Sequence, residues 1–214
     1  MRRTNSSRVY LEGFVRQAAQ TVAHGARVLD AGAGHGPYRE HFAHAAYESA
    51  DFEQVPGKRY TASDYVCDLA AIPVDDDRYD VVIFSQVLEH LPEPATVLSE
   101  LHRVLKPGGR IWASTPLFFE EHDTPYDFFR YTQYGLRHLF EQAGFQDIRV
   151  EWLEGYLGTL SYEVDVAARA LRGRRWRLVQ RLLWSVSGQL ARADLRWKRT
   201  DVGHPKNHTI VATA

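Results

Sequence analysis

The stretch Val28-Leu29-Asp30-Ala31-Gly32-Ala33-Gly34-His35-Gly36 constrains this chain more than any other. An apolar run ends in an acid, and three glycines at alternate positions lead into Pro37, a good first helical residue. The pattern predicts a strand, a tight glycine turn and a helix start, the local geometry of a nucleotide-binding α/β crossover. Glycine serves there because the backbone turns sharply and a ligand approaches it closely. The spacing departs from the dinucleotide fingerprint G-x-G-x-x-G: position 37 is proline and the third glycine falls at 36. A pyrophosphate on a helix N-terminus is therefore the poorer match, and a cofactor without phosphate the better one. An ordinary strand-to-helix turn would read the same, so the rest of the chain has to decide.

With 214 residues, 44% hydrophobic and 25% charged, the chain suits one α/β domain carrying an elaboration. The single cysteine, Cys67, rules out a disulfide framework and any zinc site built from several cysteines. It fits a reducing cytoplasm, and no metal is expected. No apolar run follows Met1-Arg2-Arg3-Thr4, so no signal peptide is expected, and no segment has the apolar length to span a bilayer. The net charge of -1 hides an asymmetry. Between Arg169 and Arg199 ten basic residues face one acid, Asp194, which leaves an acidic body and a basic arm.

Strand and helix signals alternate from residue 27 onward. Strands are expected at 27–30, 47–51, 65–68, 79–84, 110–115, 145–152 and 209–213, and helices at 37–44, 94–105 and 132–143. The run Tyr79-Asp80-Val81-Val82-Ile83-Phe84 has the β-branched character of a buried parallel strand. Lys106-Pro107-Gly108-Gly109 stops the second helix, and Gly144 closes the third. Such alternation implies a doubly wound, mostly parallel seven-stranded α/β sheet with helices on both faces. Its ligands bind at the carboxyl ends of the strands, where Asp30, Asp51 and Asp68 all fall. The segment 155–207 is a helical insertion before the last strand. There Trp176, Val179, Leu182, Leu183, Val186 and Leu190 recur at helical spacing, with Arg177 and Arg181 opposite. One domain over 1–214 is expected, with 1–25 as an N-terminal helical cap and 155–207 as a basic insertion or lid.

Several motifs in this order resemble those of class I S-adenosylmethionine-dependent methyltransferases, a Rossmann-like fold. They are the Asp30–Gly36 loop, Asp51, Cys67-Asp68-Leu69 and Tyr79 to Leu91. Arg103-Val104-Leu105-Lys106-Pro107-Gly108-Gly109 and Ala143-Gly144-Phe145 also match. The resemblance implies S-adenosylmethionine as cofactor, with Asp30, Gly32 and Gly34 at the methionine end. It further implies Asp51 on the ribose with Phe52 beside it, Asp68 and Leu69 at the adenine, and Ser85 and Gln86 near the sulfonium. Tyr10 is read as a core aromatic, with a pocket-capping role as the alternative.

The acceptor is constrained by what is missing. Enzymes that methylate the amino groups of adenine bases and glutamine carry Asn/Asp-Pro-Pro-Tyr after the fourth strand, where this chain has Ser85-Gln86-Val87-Leu88. Cytosine C5 methylation needs a nucleophilic cysteine near that strand, and the paired-glutamate loop of arginine methyltransferases is reduced here to Glu89. A small-molecule acceptor, methylated at oxygen, is expected, and the run 125–132 resembles a subgroup found with sugar, cell-envelope or secondary-metabolite genes. A hydroxyl acceptor must lose its proton, for which His90, His122, Asp123, Tyr126 and Asp127 are the candidates. The aromatic stretch Phe118 to Tyr134 stands where the acceptor enters in this fold. The alternative there is a packing corner, with an Asp127–Arg130 ion pair and Thr132 capping the next helix.

The basic arm, 169–199, reads as an amphipathic cover with a solvated arginine face. Peripheral attachment to anionic lipid and a homodimer contact are kept as alternatives, and nucleic acid is not expected. Two other functions stay open: a non-catalytic cofactor-binding module, and a lipid or nucleic-acid methyltransferase docked by the arm.

Overall fold

The computed structural model describes residues 5–54, 57 and 60–214; the first four residues of the expected N-terminal cap lie outside the described residues. In chain order the elements are α1 (Ser6–Thr21), β1 (Arg27–Ala31), β2 (Ala46–Asp51), β3 (Tyr65–Val66), β4 (Tyr79–Ser85) and α2 (Pro94–Val104). There follow β5 (Leu105–Pro116), α3 (Gln133–Gln142), β6 (Gln146–Trp152), α4 (Tyr156–Ala170), α5 (Arg177–Arg196) and β7 (Asn207–Thr213). The strands form one seven-stranded sheet in the order β3-β2-β1-β4-β5-β7-β6. Pairing is parallel from β3 through β5. Gly108 N–H donates to Ala214 O at 2.8 Å and Ala214 N–H to Gly109 O at 2.9 Å. The end of β7 thus meets the start of β5, and β7 runs antiparallel, so the sheet is mixed. Chain order reverses between β1 and β4, which makes their carboxyl ends the switch point.

The alternation of side chains along a strand explains why both faces are covered. Leu29, Val82, Phe84, Ile111 and Ala113 join one apolar cluster with Leu98, Leu101, Leu136 and Phe140 of α2 and α3. Their neighbours Val28, Val81, Ile83 and Trp112 join a second with Val15, Ala18 and Ala19 of α1. Thr132 accepts from Gly135 N–H at 3.1 Å, capping α3 as its position suggests.

Three local expectations are corrected. No α-helix follows the glycine turn at 37–44; a 3-10 turn, Arg39–Phe42, stands there with Phe42 fully buried. The return to β2 is short, and 3-10 backbone climbs about 2.0 Å per residue where α-helix climbs about 1.5 Å. The third strand is only Tyr65–Val66. The fifth begins at Leu105, because Tyr79 pairs Leu105 and Val81 pairs Arg110, so Lys106-Pro107-Gly108-Gly109 forms an irregularity inside the strand.

Two compact units can be distinguished. One comprises Gly13–Glu151 with His208–Ala214 and holds both apolar clusters. The other comprises Met1–Glu12 with Trp152–Asn207, including α4 and α5. In that helical unit the buried side of α5 is Ser187, Ala191 and Asp194. Ser161 Oγ donates to Ser187 O at 2.8 Å and Ser187 Oγ to Ser161 O at 2.9 Å. The expected apolar stripe lies largely outside instead: Trp176, Val179, Leu182 and Val186 are 37–63% exposed. Small residues won the interface because they let α4 and α5 approach closely, with a Cβ on Gly158 reaching 2.5 Å from Asp194 Oδ2. Tyr10 belongs to this unit and donates to Asp194 O at 2.7 Å, a structural role. Among the described residues no helix is long and apolar enough to cross a membrane.

Candidate active site

The glycine turn after β1 is held by the neighbouring strand. Gly32 N–H donates to Ala50 O at 2.7 Å, and Gly34 N–H donates to Asp51 Oδ2 at 2.8 Å. Gly32 has φ 78°, and a Cβ there would sit 2.4 Å from Val87 Cγ2, so only glycine fits both conformation and space. Asp51, at the end of β2, is 8% exposed and also receives Glu53 N–H on Oδ1 at 2.9 Å. Each of its oxygens therefore takes one backbone donor and keeps capacity for another.

A cleft of about 240 Å³ opens over the carboxyl ends of the parallel strands. Gly32 lies at the end of β1, Asp51 and Phe52 at β2, Asp68 and Leu69 beyond β3, and Gln86, Val87, His90, Leu91 and Pro92 beyond β4. Asp123, Tyr126 and Phe128 come from the segment after β5, and Tyr60 from the stretch between β2 and β3. The strand order thus sets the carboxylates of β2 and β3 on one side of Gly32 and the aromatic segment on the other. Gln86 sits at φ 57°, with its backbone N–H on Ser114 O at 2.8 Å and Nε2 on Ser114 Oγ at 3.2 Å. Asp123 is also left-handed, at φ 48°. Two non-glycine residues in that region on one cleft are conformations held by their surroundings.

Of the residues expected at the cofactor, Gly32, Asp51, Phe52, Asp68, Leu69 and Gln86 line the cleft together. Asp30 does not. It is buried beneath the turn, accepts from Tyr47 Oη at 2.5 Å, and is pushed up to about 6 by burial. Gly34 acts one step back by orienting Asp51, and Ser85 Oγ faces Ser114 Oγ at 3.0 Å. Val87, Leu91, Pro92 and Tyr60 were missed. The first three lie in or beside the motif after β4, so position there was the available signal; Tyr60 carries none.

Of the residues expected in catalysis, His90 and Tyr126 line the cleft. His90 Nδ1 lies 2.5 Å from Tyr126 O, and a carbonyl only accepts, so Nδ1 carries the proton and Nε2 is the basic nitrogen. Asp127 stands apart from the lining. Both its oxygens are held by Arg130 at 2.7 and 2.8 Å, and Oδ2 also takes His122 N–H at 2.9 Å. The guanidinium holds its carboxyl down at about 2. His122 is likewise off the lining, edge-on to His90 with ring centroids 4.6 Å apart. The segment after β5 therefore serves both readings: Asp123, Tyr126 and Phe128 face the cleft, while Asp127 and Arg130 form the packing corner. Beneath it Glu89 is fully buried and pushed up to about 7 by burial, its Oε2 accepting from Thr115 Oγ1 at 3.1 Å.

The chemistry of the lining fits S-adenosylmethionine. Asp51 offers paired acceptors suited to a vicinal diol, Asp68 an acceptor suited to an amino group, and Leu69 and Phe52 apolar surface for a ring.

A family model described as a methyltransferase domain matches residues 3–150. A relative from Mycolicibacterium smegmatis, named as a probable S-adenosylmethionine-dependent methyltransferase, is 35% identical over 143 residues, 59% of this chain and 56% of that protein. A ubiquinone biosynthesis O-methyltransferase of Bordetella bronchiseptica is 31% identical over 115 residues, 48% of this chain and 47% of its own. The chain thus spans about half the length of the curated relatives it matches. A solved SAM-dependent methyltransferase from Archaeoglobus fulgidus superposes with a TM-score of 0.60 over 97% of this chain and 94% of its own, at 19% identity. The likeness to that structure is one of fold. With the family model covering well over half of the sequence, the chain belongs to the S-adenosylmethionine-dependent methyltransferase domain family, in its class I fold.

Proposed function

We propose that this chain transfers the methyl group of S-adenosylmethionine to an oxygen of a small-molecule acceptor. The observation that carries the reading is the cleft, which sets a pinned carboxylate, Asp51, on one side and an aromatic wall, Tyr126 and Phe128, on the other. The named O-methyltransferase among its relatives supports oxygen as the accepting atom. When bound, the cofactor supplies a methyl on a sulfonium, open to in-line displacement. Asp51 binds and orients through its two accepting oxygens, and Gln86 fixes the floor beside it. Leu91, Pro92, Tyr126 and Phe128 exclude water, so that alignment and desolvation supply much of the acceleration. A hydroxyl acceptor would stand on the His90 side of the cleft, where its proton would pass to solvent, and the cofactor would supply the methyl carbon to its oxygen, the sulfur keeping the electron pair of the broken sulfur–carbon bond.

The test is Asp51→Ala with calorimetric titration of S-adenosylhomocysteine. Losing two hydrogen bonds to a charged group, at about 1.5 kcal/mol each, weakens affinity on the order of 100-fold. Unchanged affinity in a folded variant overturns the cofactor assignment. Transfer of labelled methyl to a panel of hydroxylated aromatics, set against amines, tests the accepting atom.

A second reading concerns the basic arm. Trp176, Leu178, Leu182 and Trp197 are exposed on a segment rich in arginine, which supports peripheral contact with an anionic membrane. Sedimentation with anionic vesicles that weakens as salt rises is the expected result; equal recovery with zwitterionic vesicles rejects it.

A further inference from the structure

Three side chains beside the cleft have a use that methyl transfer by alignment alone does not require. Glu89, His90 and His122 each bring one ligand-type atom to a common point, all within 4.8 Å of one another. Glu89 is fully buried, and its Oε1 has no hydrogen-bond partner among the described residues. That oxygen lies 3.8 Å from His90 Nε2. A buried carboxylate oxygen left without a donor is costly, and such groups are normally paired or coordinate an ion.

The outer contacts of the three are those of metal ligands. A ligating imidazole gives its other N–H to a carbonyl or carboxylate, which fixes the ring. His90 Nδ1 gives its proton to Tyr126 O. His122 Nδ1 lies 3.2 Å from Glu120 O and 3.4 Å from Asp127 Oδ2, both acceptors, so it too carries the proton and leaves Nε2 as the basic atom. Glu89 Oε2 is held by Thr115 Oγ1. Each side chain thus has one atom anchored, with Glu89 Oε1 turned toward His90 Nε2 at 3.8 Å. Ligand atoms of a tetrahedral ion sit about 3.4 Å apart, so the three need to close by about 1 Å, within reach of small side-chain rotations.

We propose that Glu89, His90 and His122 form a binding site for one divalent first-row transition ion. Two imidazoles and one carboxylate with positions left open is a donor set for Zn²⁺ or Fe²⁺ rather than Ca²⁺ or Mg²⁺. Because His90 lines the cleft, the ion acts on the acceptor there. It lowers the pKa of the acceptor hydroxyl, whose proton leaves to solvent, and the resulting oxyanion attacks the methyl carbon. This rests on the cleft's reading as a methyl-transfer site and defines the activation that was left on its His90 side. It departs from the sequence-based expectation of no metal, which a Glu-His pair and a distant His do not signal by spacing.

The experiment uses the full chain without a histidine tag, stripped with EDTA and titrated with Co²⁺ while visible absorption is followed. One Co²⁺ per chain is expected, with bands of a low-coordinate nitrogen–oxygen site that Zn²⁺ displaces. His122→Ala and Glu89→Gln should each weaken binding at least tenfold, while His122→Ala keeps S-adenosylhomocysteine affinity within about threefold, because His122 does not line the cleft. No Co²⁺ or Zn²⁺ bound at millimolar concentration, or equal binding in both variants, overturns the site. Methyl transfer that persists in the stripped chain overturns the ion's role and leaves the transferase reading standing. Metal bound as expected with no transfer to any acceptor leaves the metal site standing and overturns the transferase reading, and with it the ion's role in transfer.

Discussion

The sheet unit and the helical unit are built on different interiors. In the sheet unit the fully buried side chains are mostly Leu, Ile, Val and Phe on two faces of the strands. In the helical unit the buried groups include Glu154, Thr159, Ser161, Ser187, Asp194 and Lys206. Asn207 N–H donates to Glu154 Oε1 at 2.6 Å and its Nδ2 to Oε2 at 3.1 Å; Gly155 N–H donates to Asp194 Oδ2 at 3.3 Å. Apolar packing is non-directional and shows in a sequence as periodicity, whereas polar packing depends on partners that no local pattern announces. The unit with the apolar interior carries every residue that lines the cleft, where a rigid frame is needed to hold Asp51 and the glycine turn. The unit with the polar interior tolerates an exposed apolar and basic flank on α5.

If that contrast is right, the largest effect comes from the apolar interior. Leu101→Ala, at a fully buried position of α2, should cost about 2–5 kcal/mol in urea denaturation, through lost transfer energy and the cavity left behind. A cost below about 1 kcal/mol would mean that the sheet unit does not depend on close apolar packing. Gly158→Ala probes the polar interior by closeness of approach. The added methyl meets Asp194 Oδ2 at 2.5 Å, and a loss of about 1–3 kcal/mol is expected, with faster amide exchange in α4 and α5. A neutral result would show that α4 and α5 have room to separate.

A smaller effect, of opposite sign for the buried carboxyls of the helical unit and for Asp127, is expected with pH. Burial raises the carboxyls of Glu154 and Asp194, so their contribution is fully present below the unfolded pKa near 4 and is lost as pH rises through the folded values. Asp127, held down at about 2 by Arg130, contributes stability above about pH 4 that is lost as pH falls through 2. Amide exchange, corrected for intrinsic rates, should show α4 and α5 loosening toward alkaline pH. The Asp127–Arg130 corner should loosen as pH falls toward 2, where α4 and α5 do not, and one shared acid profile would break the distinction. The smallest effect is a gain: Gly13→Ala in α1 meets nothing within 4 Å and should add about 0.5–1 kcal/mol.

Within the sheet unit much was legible. Asp30, Asp51 and Asp68 stand near three successive strand ends because a parallel sheet brings such ends to one edge, and Asp51 and Asp68 reach the cleft there. Asp30 does not, since it lies before the turn and Tyr47 from β2 closes over it. The helix after the glycine turn was misread because Pro37 signals a start but not a length, and the short return to β2 left space only for a 3-10 turn. On α5 the apolar stripe was visible but not its exposure. Ser187, Ala191 and Asp194 took the interface because α4 offers Gly158 and Ser161 opposite them.

The sequence by itself determined the parallel frame and its glycine turn, since both rest on backbone conformation and on apolar runs that read the same in any context, and the resemblance of its ordered motifs implied the class of cofactor. The tertiary structure alone decided which titratable groups meet. Glu89 and His90 are adjacent in the chain and His122 lies far beyond them, but β4 and β5 are neighbours in the sheet, and the segments that follow them converge over one edge. Burial then left one Glu89 oxygen without a donor and turned Asp127 away from the cleft toward Arg130. Desolvation and geometry are properties of the packed chain, and no spacing of residue types contains them.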